Sequence, residues 1–191
     1  MAGSLKTYDL TKARLELPSE EYKASFIEAV GEFQSEPYPF NSGGMGRYQD
    51  VRAEELEADF GSFLEGLRDF SSGRNLKAGM VPQSTFWLID NREFIGRASV
   101  RHSLNENLTR VGGHVGYEIR PAMRGRGYGK LILRMALLKA KDLGLERALV
   151  TCDSTNIASR KIIEASGGAL ENEFSQGDGK PSKLRFWIEL A

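Results

Sequence analysis

The sequence predicts an α+β fold, with a mixed, mostly antiparallel sheet of six to seven strands and helices on both faces. Three observations support this fold class. Two apolar, β-branched segments flank the polar turn at residues 90–93, which is typical of a hairpin. A third strand leads through a glycine-rich loop and an apolar helix into a fourth, and such a crossover makes those two strands parallel. Another helix and two more strands complete the chain.

Composition bounds the class of protein. The chain has 191 residues, 40% hydrophobic and 27% charged, which suits one domain with a substantial core. Lysine plus arginine equals aspartate plus glutamate at 26 each, so no overall field favours nucleic acid or a membrane. The single cysteine, Cys152, excludes an internal disulfide and a cysteine-based metal site. Without a signal-like or membrane-spanning apolar run, the expected location is the cytoplasm.

The N-terminal half, residues 1–83, predicts one strand and two helices. Partial alternation within residues 5–17 indicates a strand. Ser19, followed by acidic residues, is typical of a helix N-cap. Apolar spacing predicts a second helix from about Val51 to Phe70, bent at its glycines, and then a polar loop over residues 71–81.

The C-terminal half, residues 84–191, carries most of the sheet, and we expect both halves to form a single domain. The sequence predicts strands near residues 85–89, 94–100, 113–119, 147–152, 169–174 and 183–190. It predicts helices near residues 128–143, where Gly144 follows as a stop signal, and 156–165.

The loop between the third strand and its helix is the clearest chemical signal. It reads Arg124-Gly125-Arg126-Gly127-Tyr128-Gly129-Lys130. Glycine lets backbone N–H groups approach a ligand, and a helix N-terminus adds unsatisfied donors and partial positive charge. This pattern predicts a site for a phosphate or pyrophosphate. The glycine spacing does not fit a Rossmann dinucleotide site, and leucine follows Lys130 where a P-loop needs Ser or Thr.

The same loop resembles a known family. Residues 124–129 fit the Q/R-x-x-G-x-G/A signature of the GNAT superfamily of acetyl-CoA-dependent N-acetyltransferases, and the preceding Ile119-Arg120-Pro121 resembles the strand end before it. Asn156, opening a helix after the next strand, is similar to a second hallmark of that superfamily. The resemblance covers residues 84–191. The run at residues 112–121, with residues 151–153, resembles a group of bacterial predicted acetyltransferases.

The resemblance implies direct transfer of an acetyl group from acetyl-CoA to an amine, with acetyl-CoA as co-substrate and no metal. Loop N–H groups would hold the pyrophosphate, and the Ile119 N–H would bond the thioester carbonyl. Asn156 would reach the pantetheine arm or a bridging water, and Ser159, one turn on, faces the same side. The cofactor-binding residues that it implies are Ile119, Arg124, Gly125, Arg126, Gly127, Tyr128, Gly129, Lys130, Asn156 and Ser159.

The catalytic groups depart from the family pattern. Val111 stands where many relatives have a glutamate base, and Ile163 where many have a tyrosine acid. An imidazole has a suitable pKa for a base, so His114 is the first candidate, with Glu118 and Asp153 in reserve.

Tyr117 is near in sequence but carries no further signal as an acid, and Cys152 fits a core position better than a reagent. His102 is the second histidine, on the strand that should pair with that of His114.

The acceptor cannot be assigned from sequence beyond an amine of a small molecule or a protein. In such a fold the first two helices line the acceptor side, so Tyr38, Phe40, Asn41 and Tyr48 are candidates for its wall. A catalytically silent CoA-binding regulator is the alternative, and a homodimer stays open. RNA binding through the Arg-Gly run is disfavoured, because the run is short and lacks stacking aromatics.

Overall fold

Seven strands form one sheet in the computed structural model, which describes residues 8–36, 52–177 and 179–190. The strands are β1 (Arg14–Glu16), β2 (Gln83–Asp90), β3 (Glu93–Arg101), β4 (Val115–Ile119), β5 (Arg147–Asp153), β6 (Ala169–Phe174) and β7 (Lys183–Glu189). Their spatial order is β1-β2-β3-β4-β5-β7-β6, and β4 with β5 is the parallel pair. This arrangement confirms the predicted fold class and the crossover.

Helices cover both faces of the sheet. They are α1 (Lys23–Gln34), α2 (Ala53–Ala58), α3 (Phe60–Ser72), α4 (Tyr128–Asp142) and α5 (Ile157–Ala165). The first three pack an aromatic core on one face, where Phe26 stacks on Trp87 with ring centroids 4.4 Å apart. The other two bury an aliphatic core on the opposite face. No helix in the described part of the chain is long and apolar enough to cross a membrane.

Three predictions for the N-terminal half were wrong in their bounds. The helix predicted over Val51–Phe70 is two helices, because Asp59 caps α3 by accepting the Ser62 N–H at 2.9 Å. The second of them continues to Ser72, so the loop begins at Gly73, whose φ of 76° ends the helix. In the described part of the strand predicted within residues 5–17, residues 8–17, only β1 is a strand, since residues 10–12 turn.

Strand β4, predicted near residues 113–119, begins at Val115, two residues later than predicted. Leu108–Gly112 form a π-helical turn, and Asn105 caps it by accepting the Leu108 N–H at 2.9 Å. Gly113 follows with a φ of 70°, and a Cβ there would lie 2.5 Å from the Leu149 carbonyl oxygen. Only glycine lets the chain pass from this turn into β4 so close to β5.

Two glycines give opposite stability predictions. A Cβ on Gly96 in β3 would lie 2.4 Å from the Glu118 carbonyl oxygen, whereas one on Gly31 in α1 meets nothing within 4 Å. We expect Gly96→Ala to lower the free energy of unfolding by about 1–3 kcal/mol, since the backbone of β4 must shift. Gly31→Ala should raise it by roughly 0.5–1 kcal/mol through helix propensity. Urea unfolding measures both, and a Gly96→Ala variant as stable as the parent would contradict the packing.

Candidate active site

The two parallel strands open into a wedge. β4 and β5 pair only at Val115 and Val150, and their C-terminal parts diverge. On its other edge β4 pairs fully with β3, and the Arg120 N–H donates to the Ile95 carbonyl at 2.8 Å. Because bonding alternates along an antiparallel ladder, the backbone N–H groups of Tyr117 and Ile119 face away from β3, into the wedge.

The glycine loop presents a row of backbone donors. The Arg124 N–H donates to the Pro121 carbonyl at 3.2 Å, and the Lys130 N–H to that of Gly127, also at 3.2 Å. Between them, within the described residues, the amides of residues 125–129 have no acceptor. Gly125 and Gly127 have φ values of 74° and 92°. With the N-terminus of α4, these amides make a site for an anion.

Two arginines at the start of the loop form ion pairs with acidic residues in or just after α1. Arg120 is 5% exposed, and its Nε donates to Glu32 at 2.7 Å while its Nη2 lies 2.8 Å from Glu28. The Arg124 side chain pairs with Glu36 through both Nη atoms, at 2.5 and 3.0 Å. Arg124, predicted among the cofactor-binding residues, therefore directs its guanidinium to Glu36, two residues past the end of α1, and its Nε donates to the Ile119 carbonyl at 3.0 Å.

The remaining basic side chains of the loop are exposed. Arg126 lies over the ring of Tyr8, with its Cζ 5.6 Å from the centroid, and Lys130 is at the solvent side of the first turn of α4. An anion at the loop would thus meet chiefly main-chain N–H groups, with these two cations at its margin.

A cavity of about 520 Å³ adjoins the wedge. Its inner end is lined by Tyr117, Cys152, Asn156 and Ser159. Its outer end is lined by both apolar and polar groups, which include Phe70, Met80, Gln83 and Arg101. The cavity thus continues from the open side of β4 toward the end of α3.

Three side chains form a hydrogen-bonded group at the inner end. Asn156 caps α5, where its Oδ1 accepts the Ser159 N–H at 3.0 Å, as the sequence indicated. The Ser159 hydroxyl lies 3.1 Å from the Tyr117 hydroxyl. Burial raises the pKa of Tyr117 to about 12, so its phenol keeps its proton at neutral pH.

Comparison with a family model decides the family. The model described as "Acetyltransferase (GNAT) domain" matches residues 45–169, well over half of the chain. The chain belongs to the GNAT acetyltransferase family. It is therefore an acyltransferase by family, as the loop and Asn156 indicated. No curated protein matches the sequence.

Solved GNAT structures share the fold. RimJ of Mycobacterium smegmatis, solved with CoA-disulfide, has a TM-score of 0.67 at 17% identity, covering 93% of this chain and 81% of that one. RimL, a ribosomal L7/L12 alpha-N-protein acetyltransferase solved with coenzyme A, has a TM-score of 0.63 at 13% identity and 94% coverage of both chains. A spermidine N-acetyltransferase chimera from Vibrio cholerae and hSSAT scores 0.63 at 14% identity, covering 94% and 96%.

His114, the first candidate for the base, does not lie at the cavity. His114 is 8% exposed, and its Nδ1 accepts the Leu149 N–H at 2.9 Å, with Trp187 beside its ring. Burial, together with Arg101 and Arg147, lowers its pKa. It does not line the cavity, so its predicted role as base has no support from its position.

The other candidates divide between the cavity and the sheet. Glu118 forms an ion pair with Arg97 at 2.7 Å and does not line the cavity. Asp153 does line it, with its Oδ1 2.6 Å from the Lys183 Nζ. His102 contacts the Ser84 hydroxyl through its Nε2 at 2.8 Å, away from the cavity lining, and burial lowers its pKa.

Two buried polar side chains at the cavity carried no sequence signal. Gln83 and Arg101 are 3% and 7% exposed, and Arg101 donates to the carbonyls of Gly112 and Gly113 at 3.3 and 2.9 Å. Both stand at strand ends, where polar residues are common, so only the three-dimensional arrangement reveals their burial. In the described residues no cluster of His, Cys, Asp and Glu is placed to hold a metal ion.

The lone cysteine gives a pH-dependent prediction. Burial, and next the Asp153 charge, raise the pKa of Cys152 to about 11. Because the thiolate is the nucleophile, iodoacetamide should alkylate Cys152 at pH 8 about a hundredfold more slowly than an ordinary cysteine thiol. The rate should rise as the pH approaches 11. Mass spectrometry follows the modification, and reaction at pH 8 as fast as free cysteine would contradict this environment.

Proposed function

We propose that this GNAT protein is an N-acetyltransferase that moves the acetyl group of acetyl-CoA directly to a primary amine of a small molecule or a protein. One observation carries the proposal. The donor-rich loop at residues 125–129 lies at the C-terminal end of the same strand whose unpaired edge forms the wedge, and the wedge leads into the cavity. An anionic head group with a long amide-bearing arm fits this path.

The chain offers a partner for each part of the donor. The loop amides bind the pyrophosphate, with Arg126 and Lys130 near the adenosine phosphate. Along the wedge, the N–H groups of Tyr117 and Ile119 bond the pantetheine amide and the thioester carbonyl, which stabilises charge that develops on that oxygen. Asn156 contributes its side-chain amide to the arm, since its oxygen is engaged with Ser159.

We assign proton transfer to two side chains that line the cavity, Tyr117 and Asp153. Tyr117, which is protonated at neutral pH, donates its proton to the leaving thiolate, either directly or through Ser159. It thus takes the role of the tyrosine that many relatives have at the position of Ile163. Asp153, paired with Lys183, accepts the proton that the ammonium must lose before it attacks. Val111, at the position of the usual glutamate, lines the cavity but carries no proton acceptor.

The charges of the cavity favour an acceptor that is not a polyamine. Among its described lining residues the carboxylate is Asp153, which Lys183 neutralises, and Arg101 adds a buried positive charge. Multiple ammonium groups would meet no compensating carboxylates there. We therefore place peptide amines, the kind that RimL acetylates, ahead of spermidine.

Donor binding and turnover are tested in two steps. Acetyl-CoA at about a hundred times its Kd should stabilise the protein by roughly 2.7 kcal/mol and raise Tm by several degrees. The amine screen then follows release of the CoA thiol, with a short peptide expected to exceed spermidine. No shift in Tm at millimolar acetyl-CoA would overturn the proposal. A clear shift without thiol release for any amine would identify a silent CoA-binding regulator instead.

Substitution of the proton donor gives a second test. Tyr117→Phe should lower kcat by about 10²-fold at neutral pH while the Kd for acetyl-CoA changes little, because only the phenolic proton is lost. Asp153→Asn, assayed in parallel, should lower the rate most at low pH, where the amine is fully protonated. Unchanged turnover in Tyr117→Phe would show that the thiolate leaves without an acid.

A further inference from the structure

A buried carboxylate lies behind the glycine loop, away from the cavity. Asp90 is the last residue of β2 and is 3% exposed. Its Oδ2 accepts two hydrogen bonds, from the Tyr128 hydroxyl at 2.5 Å and from the Asp9 N–H at 2.9 Å. Tyr128 is the first residue of α4 and is 2% exposed. One oxygen atom therefore joins the sheet, the first turn of α4 and the N-terminal segment.

The sheet holds this carboxylate rigidly. Asp90 pairs with Glu93 across a two-residue turn, in which Asn91 and Arg92 have φ values of 47° and 62°. Two positive φ values in a two-residue hairpin loop match the twist of the flanking strands. The position of Asp90 is thus set by β2 and β3, which pair from Gln83 with Arg101 to Asp90 with Glu93, with one register shift between Leu88 and Ile89.

The N-terminal segment, residues 8–10, covers the loop from outside. A Cβ on Gly127 would come within 3.1 Å of the Leu10 Cδ1, and the Arg126 guanidinium lies over the Tyr8 ring. The Tyr8 hydroxyl donates to Glu93 at 2.6 Å. Asp90 and Glu93, at the two ends of one turn, therefore hold both the segment and the helix that flank the loop.

From this arrangement we infer that Asp90 and Tyr128 are positioning residues that fix the direction of the loop amides toward the pyrophosphate. The inference rests on the proposed function. Main-chain donors bind an anion well only when they converge on it before it arrives. Gly125 and Gly127 lack a Cβ to restrict them, so the loop gains its order from the Tyr128 side chain and the covering segment.

The test compares two donors. Acetyl-CoA uses the loop and the wedge, whereas S-acetylpantetheine, the same thioester without pyrophosphate and adenosine, uses only the wedge. Tyr128→Phe should raise the Kd for acetyl-CoA about tenfold, because a hydrogen bond to a buried carboxylate is lost, and leave that for S-acetylpantetheine within twofold. Asp90→Asn keeps the shape of the side chain and a weaker acceptor, so its Kd for acetyl-CoA should lie between those of the parent and of Tyr128→Phe. Calorimetry gives each Kd.

Tyr22→Phe is the matched control. It removes a tyrosine hydroxyl from another carboxylate, Glu16 at 2.8 Å, remote from the loop, and should change neither Kd. If Tyr128→Phe raises the Kd equally for both donors, or raises neither Kd, the inference is overturned while the proposed function stands. If the parent protein does not bind acetyl-CoA, both fail together. A Tm for Tyr128→Phe close to that of Tyr22→Phe shows that the difference is not one of stability.

Discussion

The divergence of β4 from β5 is the constraint on which the site depends. A strand inside a sheet normally satisfies the backbone groups on both of its edges, and β4 satisfies them fully on one edge only. The open edge carries amides that a ligand can use. The cavity beside this edge is lined by residues of β4 and β5, by Asn156 at the N-cap of α5 and by Ser159 in α5.

The arginine side chains at the start of the loop form ion pairs within the protein. Arg124 was predicted among the cofactor-binding residues, yet its guanidinium pairs with Glu36, just past α1, while Arg120 pairs with Glu28 and Glu32 of α1. Glu32 reinforces this by accepting the Ala122 N–H at 3.1 Å. Consequently ion pairs and a hydrogen bond connect α1 to the segment that enters the loop, while main-chain N–H groups are left available for an anion.

The local parts of the site were predictable from sequence, and the long-range parts were not. The loop of residues 124–130 and the cap at Asn156 combine glycine, helix start and strand end within a few positions, so pattern alone identifies them. His114 shows the limit. Its imidazole made it the first candidate for the base, but the side chain is buried, where its Nδ1 accepts the Leu149 N–H and its ring lies beside Trp187.

The same limit applies to the fold and to the acceptor side. The break at Asp59 depends on one capping carboxylate inside a helical pattern, which outweighs the apolar spacing around it. The burial of Gln83 and Arg101 depends on which elements cover the end of the sheet. Tyr38, Phe40, Asn41 and Tyr48, the predicted acceptor wall, lie outside the described residues.

The single register pair between β4 and β5 has a mechanical consequence for the catalytic cycle. The two parts of the sheet, β1–β4 and β5–β7, share one register pair, Val115 with Val150. Beside it, the His114 N–H donates to the Leu149 carbonyl at 2.7 Å and the Leu149 N–H donates to the His114 Nδ1 at 2.9 Å. A rotation about this point would widen the wedge without breaking the ladders within either part. For the proposed reaction we expect CoA to leave by such a widening, with little hydrogen bonding to rebuild before the next turnover.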